Sequence, residues 1–269
     1  MGAGAGLGVV AAGATVPATG TAQATPPTPG ARDLRSLVKV LGRPDGVATF
    51  HHERGALYGL RSGESARLLL AFEGCAVRRF AVRSDGGYDL TAQHWLLFQD
   101  PATGMIADEW INPYTLETVA PAHVCDVEPP LRLMPLSGLW SAKWTVGDDL
   151  AVCEFEVVAP PSADPAGLPG DVHAWMRVGL HQRTITTSRP ALDEPGLIAA
   201  PAIETWTRTT EWPAFLNMSS WAGQALWRAS SRKIDRLDGL DPVLRSEIGA
   251  RWPGDPEAAA SRLQALRRT

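Results

Sequence analysis

Residues 88–124, YDLTAQHWLLFQDPATGMIADEWINPYTLETVAPAHV, decide how this chain folds. Across residues 88–98 alternate positions separate into two rows, as they do on the two faces of an extended segment. One row is Tyr88, Leu90, Ala92, His94, Leu96 and Phe98, and the other begins Asp89, Thr91, Gln93, Trp95 and Leu97. The first row is apolar apart from His94 and is expected to face the interior. Asp100-Pro101-Ala102-Thr103-Gly104 then supplies a tight turn, because Asp accepts local backbone hydrogen bonds, Pro presets φ and Gly takes a positive φ. A return strand is expected over 105–111, stopped by Asn112-Pro113. A third short strand is expected over 118–124, where Pro121 demands an edge or a bulge. The reading is an antiparallel meander.

His94 stands out against its apolar row. Such an imidazole is either a general base or ligand-orienting donor, or a core histidine whose nitrogens are satisfied by its neighbours. Asp108 and Glu109 are the carboxylates expected to manage protons with it. Trp110 and Asn112 share a row of the return strand with Asp108. Packing for Trp110 and a turn role for Asn112 are the plain alternatives. His123 lies on the short third strand.

Outward from this stretch, Leu34, Leu37, Val38 and Leu41 recur at helical spacing, with Asp33 as N-cap and Gly42 closing the helix. Strands are expected over 47–50 and 56–60 around a polar turn, then over 68–72 and 76–83. His51 and His52 are adjacent, so on a strand they point to opposite faces and do not share a metal. Glu128-Pro129-Pro130 bars a regular central strand. Residues 139–146 and 150–158 form a hairpin around Gly147-Asp148-Asp149, with Glu154 and Glu156 toward solvent, and 160–169 is a loop by composition.

Residues 172–187 read as one long strand or two. His173, Trp175, Arg177, His181 and Arg183 form a row that either meets solvent or lines the interior of a barrel wide enough for a ligand. Over 198–208, Glu204, Trp206 and Arg208 share a face. Thr210 is expected to cap a helix over 211–230, with Trp212, Phe215, Leu216, Trp221, Ala222 and Leu226 covering a barrel mouth. Asp241-Pro242 and Asp255-Pro256 open two short C-terminal helices.

With 269 residues, 45% hydrophobic, the chain has enough apolar material for one large domain. Its net charge of −4 gives no basic field for nucleic acid. Cys75, Cys125 and Cys153 are too widely spaced for a zinc motif, and their odd number excludes a full disulfide framework. Ten tryptophans against three tyrosines suit an aromatic cavity for an organic ligand, and equally suit a core.

Residues 1–33 are rich in Ala, Gly, Thr and Pro. The apolar run 7–12 is too short to span a bilayer, and Thr21-Ala22-Gln23-Ala24 fits a signal-peptidase site without the usual basic n-region. The segment is either a signal peptide of an exported protein that matures at Thr25, or a cytoplasmic tail. Three units follow: a leader or tail over 1–33, a β-barrel-like domain with its covering helix over 34–232, and a helical extension over 233–269.

The runs DPATGMIADEWINPYTLETVAPAHV and ETWTRTTEWPAFLNMSSWAGQALWRASSRKI, with LRSGESARLLLAFEG, resemble the DUF1838 family over most of residues 34–256. The motifs are the Asp-Pro-x-Thr-Gly, Trp-x-Asn-Pro and His-Val steps, then Trp-Pro and a Met before small residues. The resemblance implies an often-exported, β-rich domain of unassigned activity. The chain departs from the pattern at Gln93-His94, where the resemblance implies an Arg-Glu pair, so no role for His94 is carried over.

About ten strand patterns separated by Gly, Pro and Asp turns, with helices toward the chain ends, predict a mainly β fold: an antiparallel barrel or strongly curved sheet. The functional expectation is an apolar organic ligand in an aromatic cavity, bound by Trp95, Trp110, Asn112, His123, Trp175, Trp206, Arg208 and Trp212. His94 with Asp108 or Glu109 would catalyse an isomerisation, cyclisation or dehydration without cofactor or metal. The alternatives are a non-catalytic carrier of a hydrophobic molecule and a structural envelope protein. No integral membrane segment is expected, and the oligomeric state is open.

Overall fold

The alternating rows of residues 88–99 do form a strand, and a large antiparallel sheet is built around it. The computed structural model describes residues 31–133, 140–158, 180–252 and 256–265. The expected leader over 1–24, the loop over 160–169 and Trp175 lie outside the described residues.

The first half of the chain gives α1 (Ala31–Leu41), β1 (Thr49–Leu60), β2 (Arg67–Val82), β3 (Tyr88–Gln99), a small hairpin of β4 (Trp110–Ile111) with β5 (Thr118–Val119), and β6 (Val124–Leu133). The second half gives β7 (Trp140–Val146), β8 (Leu150–Val158), β9 (Leu180–Ser188), α2 (Arg189–Asp193), β10 (Ala202–Thr210) and β11 (Gln224–Ile234), then α3 (Pro242–Arg251) and α4 (Pro256–Ala265). The sheet runs β6-β3-β2-β1-β11-β10-β9-β8-β7. Each half pairs within itself. One ladder, β1 on β11 from Phe50↔Ile234 to Leu60↔Gln224, joins them.

The fold is therefore mainly β, as the sequence predicts, with the longer helices α1, α3 and α4 outside the run of strands and the five-residue α2 between β9 and β10. Among the described residues no closed barrel is found: β6 and β7 are the edge strands. The expected return strand shrinks to one bridge, Gln99↔Ile106, and β4, so β3 pairs instead with β6. Pro129 and Pro130 lie on that edge strand, beside a register shift between Leu90 and Ala92. The polar run expected as a turn within 51–55 is strand, because His51 and Glu53 point inward rather than to solvent.

The helix expected over 211–230 is absent. Its place is taken by a short 3-10 turn, Ala214–Leu216, and by β11 in the middle of the sheet. Asn217 at φ 56° ends the turn, and Gly223 at φ 132° adopts a backbone that no α-helix contains.

The sheet face carrying Glu53 and His94, called the inner face here, holds two apolar clusters. One joins Leu34, Leu37, Val38 and Leu41 of α1 to Phe80, Leu90, Phe155 and Ile185. The α1 stripe matches the helical spacing read from sequence. Gly42 ends the helix where a Cβ would overlap the Phe80 ring. Lys233 Nζ donates to the carbonyls of Lys39 (2.7 Å) and Gly42 (3.4 Å), placing a cation at the helix C-terminus. The second cluster gathers Leu57, Phe72, Phe98, Trp212, Leu216 and Trp227 under the loops that follow β3 and β10. On the outer face, α3 and α4 bring Leu244, Ile248, Ala259 and Leu263 onto Cys75, Val77, Trp95 and Leu97. Asp241 caps α3 as its sequence predicts, accepting from the N–H groups of Val243 and Leu244.

Candidate functional site

Between the two inner clusters lies a band of buried charge. Glu53 on β1 is 1% exposed, Arg78 on β2 3% and Glu204 on β10 4%. Arg78 bridges the two carboxylates through Nη2 to Glu53 Oε1 (2.7 Å) and Nη1 to Glu204 Oε2 (2.6 Å). Arg183 Nη1 takes the other Glu204 oxygen at 2.6 Å, and its Nε donates to His181 Nε2 at 3.0 Å. His94 Nδ1 meets Glu53 Oε2 at 3.0 Å.

The local sequence makes this reach feasible. β2 lies between β1 and β3, and its inner positions opposite Glu53 and His94 are Gly74 and Ala76. Neither side chain obstructs the imidazole. At Gly74 a Cβ would collide with the Trp95 carbonyl, so only glycine fits there.

Burial alone would raise the Glu53 carboxyl. The opposing pull of His94, Arg78 and Arg183 is stronger and lowers it to about 2. Glu204 is likewise penalised by burial and brought below the usual carboxylate range by Arg78 and Arg183. Two carboxylates thus face two guanidiniums, and their charges cancel. His51, beside Thr49 Oγ1 at 3.2 Å, is held well below its ordinary value by burial and then by the nearby cations, so it is neutral. Lys233 is brought down to about 7, by burial first and by Arg78 next. A polar group docked here would meet one oriented imidazole and fixed guanidiniums in an environment with little water.

The residues singled out from sequence fall in different places. His94 is on the inner face as expected, but its carboxylate is Glu53, from a distant strand. Asp108 and Glu109 are exposed on the loop after β3. Asp108 pairs with Arg251 (2.7 Å) and His123 Nε2 (3.4 Å), not with His94. His123 accepts the Phe98 N–H at Nδ1 (3.0 Å), which fixes its ring over that strand. Trp95 is fully buried on the outer face, in the cluster under α3 and α4. Trp110 packs against the second inner cluster. Trp212 donates Nε1–H to the Trp221 carbonyl at 3.1 Å.

Trp206 and Arg208 belong to the inner row of β10, and Trp206 lies against Phe72 (6.1 Å, near-parallel) and His181 (5.8 Å, edge-on). Trp206, His181 and Arg183 are half-buried, and they form the partly open end of the charged band. The row whose orientation the sequence left undecided is, at His181 and Arg183, the inward one.

Asn112 is wholly buried. Its Nδ2 donates to the Leu216 carbonyl (2.8 Å) and its Oδ1 accepts from Tyr114 N–H (3.0 Å), tying the β4–β5 hairpin to the turn before β11. Asn112→Ala is expected to cost about 1–3 kcal/mol, the penalty for orphaning buried polar groups. A denaturant midpoint unchanged from the parent would show that the clamp carries no stability.

Sequence reasoning passed over Glu53 and Arg78. The signal was the one used for His94, a charge inside an otherwise apolar row: Arg78 between Ala76 and Phe80, and Glu53 two positions before Gly55-Ala56-Leu57. Among the described residues no group of three His, Cys, Asp or Glu is placed to hold a metal, and no helix is long and apolar enough to cross a membrane. The three cysteines form no disulfide.

In comparisons with known proteins, a family model described as a protein of unknown function, DUF1838, matches residues 46–135 and 174–266. No curated protein and no solved structure gives a match.

Proposed function

The chain belongs to the DUF1838 family, and since that membership carries no chemistry we propose, from the charged band alone, an enzyme that moves a proton on an apolar organic molecule. The observation that carries this reading is the Glu53–His94 pair, a carboxylate and an imidazole 3.0 Å apart and buried between two apolar clusters. With Nδ1 held by Glu53, proton transfer falls to Nε2, and the carboxylate steadies the imidazolium that results. The apolar part of the substrate would rest on the half-buried Trp206 at the inner face, its polar group toward Arg183. Isomerisation, cyclisation and dehydration all need one group to take a proton and return it, and none requires a nucleotide or a metal. Orientation and a preorganised charge field would supply the rate effect.

A second reading is a carrier without turnover. It is favoured by the pairing of all four oxygens of Glu53 and Glu204, which suits a network that only fixes the strands.

The deciding experiment is native mass spectrometry of the protein from its own host, followed by extraction of any bound molecule. A co-purifying apolar compound is expected, and it becomes the substrate for a turnover assay. His94→Ala should abolish turnover; because it also strips Glu53 of a buried partner, the loss is read as catalytic in a variant shown to be folded at the assay temperature. Large destabilisation with turnover intact would defeat the catalytic assignment, and a bound compound that the parent never converts would leave the carrier. The intact mass also tests export, for which a chain beginning at Thr25 is expected.

A further inference from the structure

The outer face of the sheet holds a second site, across the strands from the buried band. Beyond the strip covered by α3 and α4, a cavity of about 640 Å³ opens across the central strands. Its lining includes Arg54 of β1, Glu73 of β2, Arg228 and Ser230 of β11, and Thr205 and Thr207 of β10. Arg54 lies opposite Ser230, and Arg228 lies two residues along the same strand, which makes the two arginines diagonal neighbours. That relation sets their Cα atoms about 7–8 Å apart, within reach of long side chains.

Both arginines are exposed, and among the described residues no carboxylate pairs with either guanidinium. Glu73, opposite Arg54, is engaged by His52 Nε2 at 2.7 Å. Two like charges on adjacent central strands repel each other, and an anion between them reverses the sign of that interaction. Ser230 faces Thr205, whose hydroxyl donates to the Thr184 carbonyl at 3.5 Å, and Thr207 faces Arg228, so the Ser230 and Thr207 hydroxyls border the guanidiniums. The planar fork of arginine matches the two oxygens of a carboxylate or phosphate.

The geometry points to a binding site for a small oxyanion, a phosphate- or carboxylate-bearing molecule, gripped by Arg54 and Arg228 with Ser230 and Thr207 completing its hydrogen bonds. The volume suits a small molecule, and the chain's net charge of −4 disfavours a long polyanion. This site shares no residue with the Glu53–His94 pair.

Isothermal titration of the whole protein at low ionic strength, with inorganic phosphate in one arm and succinate in the other, tests it. Saturable binding of at least one ligand is expected, weakened about 10-fold or more in Arg54→Ala and in Arg228→Ala, the loss of a charge-assisted bidentate contact. Arg236→Ala, an exposed arginine elsewhere on the chain, should bind like the parent. Phosphate alone binding assigns a phosphorylated ligand, and succinate alone a carboxylate. Binding of neither, or binding that survives both arginine variants, overturns the site.

Discussion

Arg78→Ala is expected to destabilise the fold by about 3–5 kcal/mol, the usual cost of removing one partner from a buried ion pair. The variant would leave Glu53 and Glu204 buried without the cation that bridges them at 2.7 and 2.6 Å. Losing two charge-assisted bonds at once is worse than losing the attraction of an exposed pair, because each carboxylate, left with one partner (His94 or Arg183), keeps its full desolvation penalty. Urea denaturation at neutral pH measures the effect. Should the single variant fail to fold, adding Glu204→Gln ought to restore part of the lost stability by removing one of the stranded charges. A loss under about 1 kcal/mol would mean that the band is hydrated and screened, like a surface pair.

Acid should unfold this protein early. Glu53 ordinarily titrates at 4.5 and in the fold at about 2, so its contribution is complete above pH 4.5 and is lost as pH falls from there toward 2. A shift of that size corresponds to roughly 3 kcal/mol for this fully buried group. Glu204 is depressed too and adds in the same direction. His51 opens the window sooner. It is neutral in the fold and ordinarily titrates at 6.5, so below that pH the unfolded chain takes up a proton that the native chain refuses. Lys233, at about 7 in the fold, adds little slope below that point. Urea midpoints at pH 7, 5 and 3 should decline throughout, and Glu53→Gln should flatten the step between pH 5 and 3. Equal midpoints at pH 7 and 3 would remove the buried-carboxylate account.

Local chemistry made much of this fold legible. β3 announced itself by strict alternation, the β7–β8 hairpin by Gly147-Asp148-Asp149, α1 by its leucine spacing and α3 by Asp241-Pro242. β11 was misread for a physical reason. Apart from Trp227 its inner row, Ala225, Ala229, Ser231 and Lys233, is small or polar where it borders the charged band, so the bulky apolar alternation of an ordinary strand is missing. Meanwhile Trp212, Phe215, Leu216 and Leu226 happen to repeat near helical spacing. The charged band was hidden likewise. In sequence, Glu53, Arg78 and Glu204 look like residues bound for solvent, and only the pairing of distant strands buries them together. His94 could be found alone, but its partner on β1 could not, since nothing local ties residue 94 to residue 53.

The single β1–β11 ladder sets the timetable of folding. Each half of the sheet can close its own hairpins from neighbouring segments, whereas the central seam joins strands separated by most of the chain, a slow search with a large loop-closure cost. The charged band straddles that seam: Glu53, Arg78 and His94 come from one half, Glu204 and Arg183 from the other. Until the halves dock, each carries an ion pair, Glu53–Arg78 in one and Glu204–Arg183 in the other, on a face otherwise bound for the core, which keeps water there and discourages premature collapse. Docking then completes the band through the Arg78–Glu204 pair, and a nascent chain acquires its full charged centre only once residues 202–234 have been made.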